Sequence, residues 1–116
     1  MERFLSFDDI KKSLENRETD CKAIVNYYIQ NIQTKAHLNA FVEVYTESAL
    51  EQASKVDEKI ASGKAGRLAG MVIGIKDVLV YKDHEFNASS KILKGFISQY
   101  TATAIQRLID EDAIII

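Results

Sequence analysis

The chain has 116 residues, the size of one ordinary domain, of which 47% are hydrophobic and 28% charged. That balance excludes a disordered tail, a collagen-like repeat and a low-complexity array, and the length suffices to bury a sizeable core. A formal net charge of −2 offers no general attraction for nucleic acid or an anionic membrane.

No apolar run approaches the roughly 18 residues of a bilayer span. The start, MERFLSFDDIKK, lacks the apolar core of a signal peptide. A single cysteine, Cys21, excludes an internal disulfide, and without a Cys/His cluster no metal site is expected. The expected compartment is the cytoplasm.

The first half reads as helical. Ser6 with Asp9 three positions on has the form of an N-cap, and Phe7, Ile10 and Leu14 fall on one helical face. Thr19 is the expected N-cap of an amphipathic helix that carries Ile24, Val25, Tyr28, Ile29 and Ile32 and ends near Lys35 or His37. Leu38–Tyr45 is short, aromatic and β-branched, which predicts a strand. Thr46 is the expected cap of a third helix with Leu50, Ala53, Val56 and Ile60 in a stripe, closed by Gly63 as its C′ glycine.

The character then changes. Gly63, Gly66, Gly70 and Gly74 surround the segment 66–80, which is almost continuously apolar, as a strand buried on both faces would be. Gly66 and Gly70 are expected in a tight entry turn, and Gly74 at a close backbone approach. Their spacing fits neither the dinucleotide fingerprint nor the P-loop. Lys82–Glu85 reads as a polar loop and Ser89–Phe96 as a turn with a short helical segment. Thr101 or Thr103 is expected to cap a helix with Ile105, Leu108 and Ile109 on one face.

Ile114–Ile116 make a final strand with no turn after it and no charge to protect it. That ending predicts that the polypeptide continues in nature. Proline is absent, where average usage predicts roughly six. The order helix, helix, strand, helix, strand, helix, strand indicates an α/β protein. Within one domain, 1–62 is a mainly helical entry segment and 63–116 the start of the sheet.

Lys76 is the side chain that most needs explanation. Inside a buried strand its charged form is disfavoured, which is how a lysine becomes a general base. The alternative is that the strand ends at Ile75 and that Lys76 and Asp77 are solvated. Asp77, next along the strand, faces away from Lys76 and is placed to bond loop amides. His37 and His84 read as solvated loop histidines, and Cys21 as a small hydrophobe in a helix's first turn. Ser89 and Ser90 lack a nucleophile elbow, and Ser89 reads as a helix cap. Tyr27, Tyr28 and Tyr45 read as core or interface.

The run Gly66-Arg67-Leu68-Ala69-Gly70-Met71-Val72-Ile73-Gly74-Ile75-Lys76-Asp77 resembles the opening motif of the amidase signature family, Gly-x-Leu-x-Gly-x-Pro-x-x-x-Lys-Asp. Val72 stands at the proline position, and Val78 where an asparagine is frequent. Ala88-Ser89-Ser90-Lys91-Ile92-Leu93 is similar to the block Ala-Ser-Lys-Ile-Leu, and Ala102-Thr103 with Arg107-Leu108 to the helix that follows it. The helical entry and Leu38-Asn39-Ala40-Phe41 also fit, so the resemblance covers nearly the whole chain. It implies the N-terminal fragment of a larger amidase signature fold, a mixed sheet flanked by helices.

The resemblance implies a catalytic role for Lys76, as general base of a Ser-cisSer-Lys triad acting through the cis-serine. Both serines would lie in a Gly/Ser-rich stretch further along, so the chain alone is expected to be inactive. The Ala88–Leu93 block is most similar to the A subunit of the amidotransferases that act on Glu-tRNA(Gln) and Asp-tRNA(Asn). That branch implies glutamine as substrate and ammonia passed to the B subunit, which uses ATP on the misacylated tRNA, with the C subunit to bridge the two. No cofactor, metal or membrane is implied for this chain. Two other readings stay open: a different amidase signature hydrolase, and a stand-alone helical interaction module in which Lys76 has no role.

Overall fold

The computed structural model describes residues 6–116; the first five residues of the expected entry segment lie outside them. Helix α1 (Phe7–Glu15) opens with a capping box. The Asp9 N–H donates to the Ser6 hydroxyl at 3.2 Å and the Ser6 N–H to the Asp9 carboxylate at 3.0 Å. Helix α2 (Cys21–Thr34) is capped by Asp20 rather than Thr19, the Asp20 carboxylate accepting from the Ala23 N–H at 2.7 Å. A second carboxylate, Asp57, reaches the same helix end from far along the chain. It accepts from the N–H groups of Cys21 at 2.7 Å and Lys22 at 3.2 Å, so the free donors of the first turn are satisfied by a neighbouring helix.

Helix α3 (Thr46–Ala61) has Tyr45 as its N-cap with no side-chain hydrogen bond, and Thr46 is its first helical residue rather than its cap. Helix α4 (Thr103–Asp110) likewise starts from Ala102. Neither threonine caps it: the Thr101 hydroxyl is engaged by the Lys82 N–H at 3.1 Å, and Thr103 is the first helical residue. The C-terminus of α3 follows the sequence: Gly63 has φ +69°, the Gly63 N–H reaches the Ile60 carbonyl at 3.1 Å and the Lys64 N–H the Lys59 carbonyl at 2.9 Å. α4 ends with the same pair of bonds, Asp112 to Ile109 at 2.9 Å and Ala113 to Leu108 at 3.0 Å. There the left-handed position is held by Asp112, with φ 68°.

The core lies between α2, α3 and the end of the chain. Cys21, Val25 and Ile29 of α2 meet Ala49, Ala53 and Val56 of α3, and Ile114 and Ile116 close the cluster. Ala49 and Ala53 are wholly buried, and their small side chains let the two helices approach closely. Burying a Val or Ile side chain contributes about 1.5–3 kcal/mol. The last residues therefore do form a buried strand. β1 (Val72–Ile73) and β2 (Ile114–Ile115) pair in parallel, Val72 with Ile114 and Ile73 with Ile115, and the connection between them contains α4.

Two expected strands differ. Leu38–Tyr45 is not a strand: a 3₁₀ turn, Ala36–Leu38, runs into irregular chain in which Val42 is 81% exposed. A β-branched and aromatic run becomes a strand only where a neighbouring ladder takes its N–H groups, and none of the described strands pairs with it. The long strand over 66–80 is reduced to Val72–Ile73. Before it, the chain is wound into turns, with the Ala69 N–H on the Gly66 carbonyl at 3.3 Å and the Met71 N–H on the Leu68 carbonyl at 2.9 Å. After it, a second turn begins at Lys76.

The entry turn is held against the α4–β2 junction. The Gly66 N–H donates to the Asp112 carboxylate at 2.7 Å, and the Leu68 N–H to the Glu111 carbonyl at 2.8 Å. Arg67 forks onto the Glu111 carboxylate, with its terminal nitrogen at 3.1 Å and Nε at 3.3 Å. Asp112 is 5% exposed, and its other oxygen pairs with Lys59 of α3. A Cβ on Gly66 would lie 2.6 Å from the Glu111 carbonyl carbon and oxygen, so the close backbone approach expected at Gly74 belongs to Gly66. At Gly74 an added Cβ meets only the Phe41 ring, at an ordinary 3.5 Å.

Two measurements check this packing. Gly66→Ala should destabilise the chain by about 1–3 kcal/mol in urea unfolding, because backbone has to move to admit the methyl group. Cys21 should resist alkylation. Burial pushes its thiol well above the ordinary range, reinforced by the Asp57 carboxylate beside it, so the thiolate is scarce in the fold. At pH 8.5 iodoacetamide should label the folded chain more than about tenfold slower than the chain in guanidinium, because the thiolate is the form that reacts.

Candidate active site

β1 ends at Ile73, and Gly74 and Ile75 carry the chain out of the sheet to Lys76. The Lys76 carbonyl accepts from the N–H groups of Val78 at 2.7 Å and Leu79 at 3.0 Å, so the lysine opens a tight turn. Its side chain is exposed. The expectation of a lysine inside a buried strand is therefore not met in this chain, because the strand stops short of it. Lys76 and Asp77 nevertheless line one cleft, of about 540 Å³, between the irregular segment after α2 and the loop over 85–89.

The cleft has both polar and apolar lining. Glu43, Asp77 and Glu85 bring carboxylates to it, and Phe41, Ile75 and Ile116 supply apolar wall. Tyr45 also lines it. Burial raises its phenol above the usual range, with Glu43 and Asp77 adding to the effect, so it is a hydrogen-bond donor at neutral pH. The set of groups can hold a cationic or amide-bearing ligand and move a proton. Among the described residues no group of three His, Cys, Asp or Glu side chains converges as a metal site. A second, more apolar cleft of about 640 Å³ adjoins the first, and Phe41, Gly74 and Ile116 line both.

Asp77 bonds a loop amide, as its place next to Lys76 suggests: its carboxylate accepts from the Asn87 N–H at 3.2 Å. Asn87–Ser90 is a tight turn, closed by the Ser90 N–H on the Asn87 carbonyl at 2.8 Å. Both central residues are left-handed, Ala88 with φ 47° and Ser89 with φ 58°. That is the pattern of a type I′ turn, which favours Asn-Gly, and each non-glycine residue in it costs about 1–2 kcal/mol. Ser89 lines the Lys76 cleft and caps no helix; Ser90 stands before the 3₁₀ turn Lys91–Leu93 without a side-chain cap bond.

Histidine readings divide. His37 is exposed in its 3₁₀ turn. His84 is not a solvated loop residue. Its ring stacks on Tyr81 at 4.2 Å and 5°, and packs on Tyr45 at 4.1 Å, while Nδ1 lies 2.8 Å from the Lys82 carbonyl oxygen. Gln52 of α3 joins this cluster to the sheet: its amide nitrogen donates to the Tyr81 hydroxyl at 2.9 Å, and its oxygen accepts from the Ile115 N–H at 3.3 Å. No spacing in the sequence links Gln52, Tyr81 and His84, which meet only through the fold. Of the tyrosines singled out, Tyr27 and Tyr28 stand edge to face at 5.5 Å on α2.

The amidase family profile matches residues 23–116. The A subunit of the glutamyl-tRNA(Gln) amidotransferase of Brachyspira hyodysenteriae is 43% identical, over 97% of this chain and 24% of its own length. The protein of the same name from Methanobrevibacter smithii is 42% identical, over 90% of this chain and 23% of its own. The chain thus spans about a quarter of the length of the curated relatives it matches.

Among solved structures, the native peptide amidase from Stenotrophomonas maltophilia superposes with a TM-score of 0.89 at 25% identity, over 97% of this chain and 24% of that one. A bacterial aryl acylamidase of the amidase signature family gives 0.86 at 21% identity, over 96% and 24%, a likeness of fold alone. No helix among the described residues is long and apolar enough to cross a membrane. The α/β architecture with its small parallel sheet is that of the amidase signature enzymes, and by profile and identity this chain belongs to the amidase family.

Proposed function

We propose that this chain is the lysine-bearing, N-terminal segment of the A subunit (GatA) of a glutamine-hydrolysing amidotransferase. The observation that carries the reading is Lys76: it belongs to the run that resembles the family motif, and it lines a cleft with Asp77. The names and identities of the curated relatives support the amidotransferase branch over other amidases, as does the Ala88–Leu93 block.

In this reading Lys76 is the general base. A serine from the rest of a longer chain attacks the glutamine amide, and Lys76 takes the proton through a cis-serine. A lysine has to be neutral to do so, which requires removal of water around it. Lys76 is exposed in this segment, so the covering of the cleft falls to the remainder of the longer protein. The apolar wall of Ile75, Phe41 and Ile116 supports such a closure. Neither Ser89 nor Ser90 has a nucleophile's setting, and the chain alone is proposed to be inactive.

The ammonia released would pass to the B subunit, which activates the misacylated tRNA with ATP, and the C subunit would hold the two together. This chain itself would hold no cofactor, metal or membrane anchor, and would work in the cytoplasm, where tRNA is charged.

The test is glutamine hydrolysis and tRNA-dependent amidation by the complete enzyme with Lys76→Ala. Glutaminase activity should fall by about 10²–10⁴-fold, the usual worth of a general base. Amidation supplied with ammonia in place of glutamine should persist, because the chemistry of the B subunit is untouched. Loss of both activities, or of neither, would contradict the assignment.

A further inference from the structure

We propose that Asp77 is a positioning residue, holding the Asn87–Ser90 turn against the turn that carries Lys76 and so fixing the lysine's wall of the cleft. This rests on the function proposed for Lys76. Three observations carry it. The two turns are separate in sequence and meet at the cleft, where the Asp77 carboxylate accepts from the Asn87 N–H at 3.2 Å. The turn it holds has two consecutive left-handed residues, Ala88 and Ser89, with no glycine at either position. The turn also buries the Asn87 Oδ1 atom without a hydrogen-bond partner.

A turn that is strained in itself and leaves a polar atom unpaired persists only when its surroundings over-determine it. The tether from Asp77 is a side-chain bond that supplies this at the turn's first residue. Because Asp77 is bonded in sequence to Lys76, the same tether orients the lysine's turn. Loss of the tether would let the 87–90 turn relax and shift Ser89 and Lys76 relative to one another, with no loss of the ammonium group itself.

The acceptor atom matters here and not the charge. Asp77→Asn retains an oxygen at the right distance, and Asp77→Ala does not. Relief of strain should compensate, since glycine adopts the left-handed region freely. Ala88→Gly added to Asp77→Ala should therefore restore the turn, which it would not do if Asp77 acted by its charge on Lys76.

Two readouts test this. One is native-state hydrogen exchange of the Asn87 amide, and the other is the kcat and KM of glutamine hydrolysis, both in the complete enzyme. Asp77→Ala should speed Asn87 exchange by about tenfold or more and lower kcat by about 10²-fold with KM little changed. Asp77→Asn should keep the exchange protection and most of kcat; the Asp77→Ala/Ala88→Gly double variant should recover kcat in part, while its Asn87 N–H, left without an acceptor, keeps exchanging fast. Unchanged Asn87 exchange in Asp77→Ala would overturn the proposal, as would an Asp77→Asn as impaired as alanine, or a faster exchange with kcat unaltered.

If Asp77→Ala does not fold, Asp77→Asn decides alone: protected Asn87 supports the tether and rapid exchange overturns it. If the wild-type enzyme shows no glutaminase activity, the reading of Lys76 fails. Exchange still judges the tether, which an accelerated Asn87 in Asp77→Ala supports and an unaffected one overturns.

Discussion

The arrangement depends on one docking contact, that of the Gly66 turn on the Glu111–Asp112 junction. Asp112 occupies a left-handed position that glycine would hold without strain and that aspartate tolerates better than most residues. Its carboxylate explains why aspartate stands there. It accepts from Gly66 and pairs with Lys59, so one side chain joins the entry turn, the end of α4 and the face of α3. A typical hydrogen bond contributes about 1 kcal/mol net, and leaving the Gly66 donor unpaired would cost about 1–3 kcal/mol. With Gly66 and Leu68 held on residues 111–112, Val72 is delivered opposite Ile114 and the parallel register follows. In that register Ile73 lies opposite Ile115 and accepts from the Ile116 N–H, and the chain then leaves the sheet toward Lys76.

Much of the helical half was legible in the sequence because its signals are local. The Ser6–Asp9 box, the stripe from Ile24 to Ile32 and the terminating Gly63 each act within a few residues of themselves. The isoleucines at the end were legible for a related reason, since three consecutive large apolar side chains have few stable places outside a core. Capping is less legible. Asp20 displaced Thr19, and Thr101 was taken up by Lys82, because a cap is a competition for donors that a neighbouring loop or helix can win.

The strands failed where their partners lie outside the local sequence. Leu38–Tyr45 has strand composition and no ladder beside it, and 66–80 has apolar composition but is bent by two turns. The candidate site shows the same division. Lys76 and Asp77 stood out because charges interrupt an apolar run, and Asp77 does bond a loop amide. Glu43, Tyr45, Glu85 and Asn87 carry no such mark and reach the cleft from separate segments. The cluster of His84, Tyr81 and Gln52 is equally silent in one dimension, yet it braces Tyr45 and, through Ile115, the sheet.

The functional account turns on whether the nitrogen of Lys76 gives up its proton during the reaction or only carries charge and packs. A lysine can serve in either way, and only the first requires an amine. A guanidinium preserves charge and reach and does not deprotonate in a protein. The decisive measurement is the glutamine-hydrolysis rate of the complete enzyme carrying Lys76→Arg. The account predicts a loss of about 10²-fold or more, as for removal of a general base; a near-normal rate would contradict it and leave the lysine a structural or electrostatic residue.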